Sequence, residues 1–79
     1  MKLSVEVSMY PLEKEYIPLI DTFISGLNKH PEITVETNFM STHIRGDFDA
    51  VMEVFTREIK AAYQSFNGKI IFSTKFLNS

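Results

Sequence analysis

The sequence predicts an α+β domain of β-α-β-β-α-β order, the ferredoxin-like arrangement in which two helices cover one face of a four-stranded antiparallel sheet. Three observations carry this. Several stretches alternate apolar and polar residues with period two, the mark of strands with one buried face. Two other stretches place apolar residues at helical spacing. Proline, glycine and asparagine fall between them as punctuation.

Lys2 to Tyr10 alternates strictly, with Leu3, Val5, Val7 and Met9 on one side and Ser4, Glu6, Ser8 and Tyr10 on the other. Pro11 lacks an N–H and is expected to end this strand. Glu15 to Lys29 reads as a helix, its stripe formed by Ile17, Ile20, Phe23, Ile24 and Leu27. Pro18 is tolerated only in a first turn, which moves the start to Tyr16 or Ile17. Asn28, His30 and Pro31 supply the stop.

Ile33 to Met40 alternates again, and Ser41 to Gly46 continues as a short strand with Thr42 and Ile44 on one side. The two are expected to form a hairpin turning near Phe39 to Ser41. Asp47 is the expected N-cap of the second helix, with Asp49 favouring the positive end of its dipole. Its stripe is Phe48, Val51, Met52, Phe55, Ile59, Ala62 and Phe66. Asn67-Gly68 ends it, with Gly68 expected in a left-handed conformation. Lys69 to Leu77 closes the order as the last strand.

Packing both helices on one face assigns Leu3, Val5, Val7, Met9, Ile33, Val35, Phe39, Ile44, Ile70, Phe72 and Phe76 to the core side. The other face keeps Glu6, Glu36, His43, Arg45 and Lys75 among small hydroxyls, but also Tyr10, Met40, Ile71 and Leu77. That mixture suits a face covered by another subunit, with a pocket left inside, better than one wholly in water.

Composition narrows the function. The 79 residues are read as a single domain, 44% hydrophobic and 23% charged. Domains of this size usually need a bridge, a metal or a partner subunit. There are no cysteines, so disulfides, thiolate metal centres and cysteine nucleophiles are excluded. His30 and His43 fall in different elements without metal-ligand spacing, so no metal is expected. Self-association is the remaining route to stability. A net charge of −2 and a third strand without aromatics argue against nucleic acid. No apolar run approaches a membrane span, and the alternating N-terminus is unlike a signal peptide, so a cytoplasmic protein away from membranes is expected.

No catalytic constellation emerges. No serine lies in a Gly-x-Ser-x-Gly turn, and no glycine-rich loop would cradle phosphate. Asp47 and Asp49 would repel an anion at the second helix. Glu6 and Glu36 either form interface salt bridges with Lys75 or Arg45, read a ligand's amino or amidine-like edge, or serve as a general acid or base. Tyr10, at the Met9-Tyr10-Pro11-Leu12 exit, either walls a planar ligand or packs against a neighbour.

Four blocks keep their order along nearly the whole chain: Val5-Glu-Val-Ser-Met-Tyr-Pro-Leu12, Tyr16-Ile-Pro18, Val35-Glu-Thr-Asn-Phe-Met-Ser-Thr42 and Ile44-x-Gly-Asp-x-Asp-x-Val51. Together they resemble the YkoF-like thiamine/hydroxymethylpyrimidine-binding family. The resemblance implies ferredoxin-like domains, two in tandem or one per chain, single-domain members assembling as dimers or tetramers through their sheets. It implies binding of thiamine or its pyrimidine portion, without catalysis and with no cofactor. A pocket in a one-domain chain would then be completed by another copy. On that reading Glu6, Glu36 and Asn38 would accept hydrogen bonds from the ligand, and Tyr10 and Met40 would form walls. Ser8, Ser41 and Thr42 would fix polar edges, with His43 beside them on the open face. The rival expectations are a structural or regulatory oligomer without a ligand, and an enzyme acting in a pocket between sheets.

Overall fold

The computed structural model describes residues 1–78. Its elements are β1 (Lys2–Pro11), α1 (Ile17–Leu27), β2 (Thr34–Thr37), β3 (Thr42–Asp47), α2 (Phe48–Ser65) and β4 (Ile70–Asn78). The strands form one antiparallel sheet in the order β2-β3-β1-β4, so β1 and β3 are central. This is the expected ferredoxin-like topology. Both helices bury their apolar stripes on one face of the sheet. Phe23 and Leu27 of α1 and Val51, Val54 and Phe55 of α2 meet Leu3, Val5, Val7, Ile33 and Ile44 in one core.

Aromatic pairs close the β4 side of this core. The Phe72 ring lies 5.1 Å from Phe23 and 5.5 Å from Tyr63, and Phe76 meets Phe55 edge-on at 5.9 Å. The helices approach each other at Gly26, where a Cβ would fall onto the Glu58 carboxylate. That carboxylate is held by the His30 imidazole, 3.0 Å from Nε2 to Oε2, which ties the end of α1 to the middle of α2. A glycine inside α1 costs helix propensity, and this close approach is its compensation.

Several local expectations are corrected. β1 does end at Pro11, which is its last residue, opposite Ile70, rather than the first residue beyond it. The next pair is hydrogen-bonded, Leu12 N–H to Lys69 O at 2.9 Å. Alternation along an antiparallel ladder then makes Pro11–Ile70 a pair without ladder bonds, and the missing N–H would have faced away from β4. β2 stops at Thr37, so Asn38, Phe39 and Met40 leave the pleat and form the turn. Phe39, assigned to the core by extending the alternation, is instead fully exposed at its tip.

Asp47 takes the N-cap position, but its side chain caps nothing. Its carboxylate pairs with Lys2 on the neighbouring strand at 3.1 Å, an exposed contact of small energetic weight. The first-turn amide of Phe48 is satisfied instead by the carbonyl of Met1. Gly68 does not adopt a left-handed conformation. α2 ends at Ser65 with Phe66 extended, and the Phe66 ring lies where a Cβ at position 68 would project. A side chain at position 68 would have to displace the Phe66 ring, so the glycine there serves space rather than backbone freedom.

The stripe of α1 is buried unevenly, with Leu27 wholly inside and Ile17 exposed. Leu27→Ala should therefore cost about 3 kcal/mol in urea denaturation, whereas Ile17→Ala should cost less than about 0.5 kcal/mol.

Candidate functional site

β1 is longer than its central neighbour. β3 pairs with β1 only as far as Val7, opposite Thr42, while β1 runs on from Ser8 to Pro11 against β4 alone. Beyond Val7 the side of β1 that β3 would have filled is open. The β2–β3 turn and the start of α1 flank this gap, leaving a cavity of about 520 Å³. Ser8, Tyr10, Asn38, Met40 and Ser41 line it together, as do Leu12, Tyr16, Ile20 and Phe39.

The turn beside the cavity is held by its own side chain. Asn38 Oδ1 accepts the backbone N–H of Met40 at 3.0 Å and of Ser41 at 3.1 Å. The Asn38 N–H also donates to the Ser41 carbonyl at 3.0 Å. Asparagine commonly closes a chain reversal in this way, without the glycine that a two-residue hairpin demands. Ser8 Oγ donates to the Met40 carbonyl at 3.1 Å, fastening the turn to the β1 overhang.

A second depression, about 490 Å³, lies on the sheet face away from the helices and includes Ser4, Glu6, Thr34, Glu36, His43 and Arg45. The strand register sets one row across all four strands: Glu36, His43, Glu6 and Lys75. Glu6 is its hub. Its Oε2 accepts from His43 Nε2 at 3.1 Å and from Ser41 Oγ at 3.3 Å, and Oε1 lies 3.8 Å from Lys75 Nζ. A carboxylate only accepts, so the His43 nitrogen facing it carries hydrogen. Ser41 touches both places, lining the cavity and donating to Glu6.

The nine residues singled out from sequence thus divide. Five line the cavity: Ser8, Tyr10, Asn38, Met40 and Ser41. Glu6, Glu36 and His43 line the face depression, and His43 separates the two glutamates. Thr42 lines neither; it is 6% exposed on the helix side, its hydroxyl 3.5 Å from that of Thr37. Sequence reasoning missed Leu12, Tyr16, Ile20 and Phe39. The Tyr16-Ile-Pro18 block was visible, but only the path of the chain after β1 brings it back against the turn. Among the described residues, no group of three or more His, Asp or Glu side chains is placed to hold a metal ion. Among the described residues, no helix is long and apolar enough to cross a membrane.

The Glu6 row is half exposed, so Glu6→Ala should lower stability by less than about 1 kcal/mol in chemical denaturation. A larger loss would show that Glu6 holds the sheet together rather than facing a ligand or partner.

Comparison with known proteins gives this geometry a context. A Streptococcus pneumoniae protein superposes with a TM-score of 0.89 at 25% identity, covering 100% of this chain and 88% of that one. A hypothetical protein of Methanocaldococcus jannaschii superposes with a TM-score of 0.82 at 25% identity, covering 99% and 80%. A Thermotoga maritima protein, provisionally named for thiamine biosynthesis or salvage, superposes with a TM-score of 0.85 and covers 100% and 85%. At 15% identity that last likeness shows the fold alone. A search of curated proteins finds no match. The pattern of the YKOF-related family matches residues 2–78, and the chain belongs to that family.

Proposed function

We propose that this protein binds thiamine or its hydroxymethylpyrimidine portion, without transforming it, in the cavity at the β1 overhang. The cavity carries the reading. Its volume of about 520 Å³ falls within the range of small-molecule sites. Its lining combines the aromatic residues Tyr10 and Tyr16, each about half-exposed, with the polar residues Ser8, Asn38 and Ser41. Aromatic faces suit both a planar pyrimidine and the cationic thiazolium of thiamine. Glu6, reached through Ser41, adds negative charge nearby. Family membership and the provisional name of the Thermotoga maritima protein favour the same ligand class.

The proposal includes assembly of identical subunits, as a dimer or tetramer, through the open sheet face. Ile71 and Leu77 remain 54% and 64% exposed there, on a domain small enough to benefit from a partner. A covered face would desolvate the Glu6 row and make its pairing with His43 and Lys75 more consequential.

Isothermal titration should show saturable heat with thiamine and with hydroxymethylpyrimidine, and no heat at about 1 mM ligand would reject the ligand. Tyr10→Ala should weaken binding about tenfold without unfolding the domain. Glu36→Gln lies outside the cavity of its own subunit and should change affinity less than about twofold. In light scattering the wild-type protein should exceed the 9.1 kDa of one chain, and joint Ile71→Lys and Leu77→Lys substitution should return it to that mass. A monomeric wild type would reject the assembly. Unchanged ligand mass after prolonged incubation would separate a binder from an enzyme.

A further inference from the structure

The hydrogen bonds inside the cavity are already partly committed, and what remains uncommitted has a definite polarity. Asn38 Oδ1 is occupied by two backbone donors, Met40 N–H and Ser41 N–H. Those contacts orient the amide chemically, because an NH₂ group in that position would face two donors. Among the described residues, Asn38 Nδ2 has no protein hydrogen bond, so this side chain offers the cavity a donor. The serines show the opposite polarity. Ser8 spends its single hydroxyl hydrogen on the Met40 carbonyl, and Ser41 spends its own on Glu6. Each keeps lone pairs, so each offers the cavity an acceptor.

We infer that Asn38, Ser8 and Ser41 make the cavity selective for a 4-aminopyrimidine edge over its 4-oxo counterpart. The inference rests on the cavity being the pyrimidine site. An aminopyrimidine edge presents a ring nitrogen that accepts, beside an amino group that donates twice. The Asn38 amide complements the ring nitrogen, and the two serine hydroxyls complement the amino hydrogens. A 4-oxo pyrimidine presents a ring N–H beside a carbonyl oxygen. Its N–H would meet the Asn38 N–H₂ group, and its oxygen would meet two hydroxyls whose hydrogens are spent elsewhere. A site built on directed hydrogen bonds discriminates such reversals far better than it discriminates apolar size. The turn that shapes the cavity therefore also sets its specificity, since the bonds closing the turn determine which way the amide points.

The test titrates 4-amino-5-hydroxymethyl-2-methylpyrimidine and its 4-oxo analogue into wild-type protein and into Asn38→Asp. The aspartate carboxylate can still accept both turn amides, so the chain reversal is kept while the donor becomes an acceptor. Wild type should prefer the amino form by about tenfold or more. Asn38→Asp should lose that preference or invert it, with its melting temperature close to wild type. If wild type binds the amino form and Asn38→Asp retains the same amino-to-oxo ratio, the assignment to Asn38 is overturned. Equal wild-type affinity for both forms also overturns it, while leaving the cavity as the ligand site. Binding of neither form by wild type overturns the pyrimidine reading and this inference with it. Should Asn38→Asp disturb the turn, Ser8→Ala decides: a fall of about fivefold in the amino-to-oxo affinity ratio supports the inference, and an unchanged ratio rejects it.

Discussion

The open flank of β1 is the constraint on which the site depends. A central strand normally satisfies both its edges. Here β3 gives out at Thr42 while β1 continues to Pro11. Backbone groups left without a neighbouring strand must meet water, side chains or a ligand. The chain manages the gap in two ways. Pro11 has no N–H to leave unpaired at the far end. The Asn38 turn folds beside the near end, and Ser8 bonds to Met40 across it. What remains is a hollow bordered on three sides by a strand, a self-braced turn and the approach to α1.

The two faces of the sheet divide the remaining work. The helix face holds almost all the buried apolar side chains and supplies the stability of the domain. The open face carries one continuous polar row, with Glu6 gathering His43, Ser41 and Lys75. Ser41 connects this row to the hollow, since it both lines the cavity and donates to Glu6. The polar row and the cavity wall therefore share one side chain. The same bond consumes the Ser41 hydrogen and leaves that hydroxyl with only lone pairs to offer.

Much of the architecture was legible because it follows from periodicity. The alternation through Leu3, Val5 and Val7 places those residues in the core, and they are buried there. Pro18 put the start of α1 at Tyr16 or Ile17, and the helix begins at Ile17. The errors arose where local pattern was carried past an element's end. Phe39 continues the alternation of Ile33 and Val35 on paper, yet the Asn38 side chain captures the next two amides and turns the chain out of the sheet. Gly68 looked like a helix terminator, but the Phe66 ring occupies the space its side chain would need. Asp47 looked like a capping side chain, but Lys2 lies across from it on the paired strand and draws the carboxylate away.

The order of elements, the core face of each strand and the residue types available for binding were all present in the linear chain, because hydrophobic period and backbone-breaking residues act over a few positions. Which of those residues share a site was decided by the fold alone. Tyr16 and Asn38 stand far apart in sequence and line one cavity because β1 outlasts β3. Thr42 lies next to Ser41 yet points into the core, because one step along a strand reverses the face. Strand lengths and register depend on contacts between distant segments, and no local pattern encodes them.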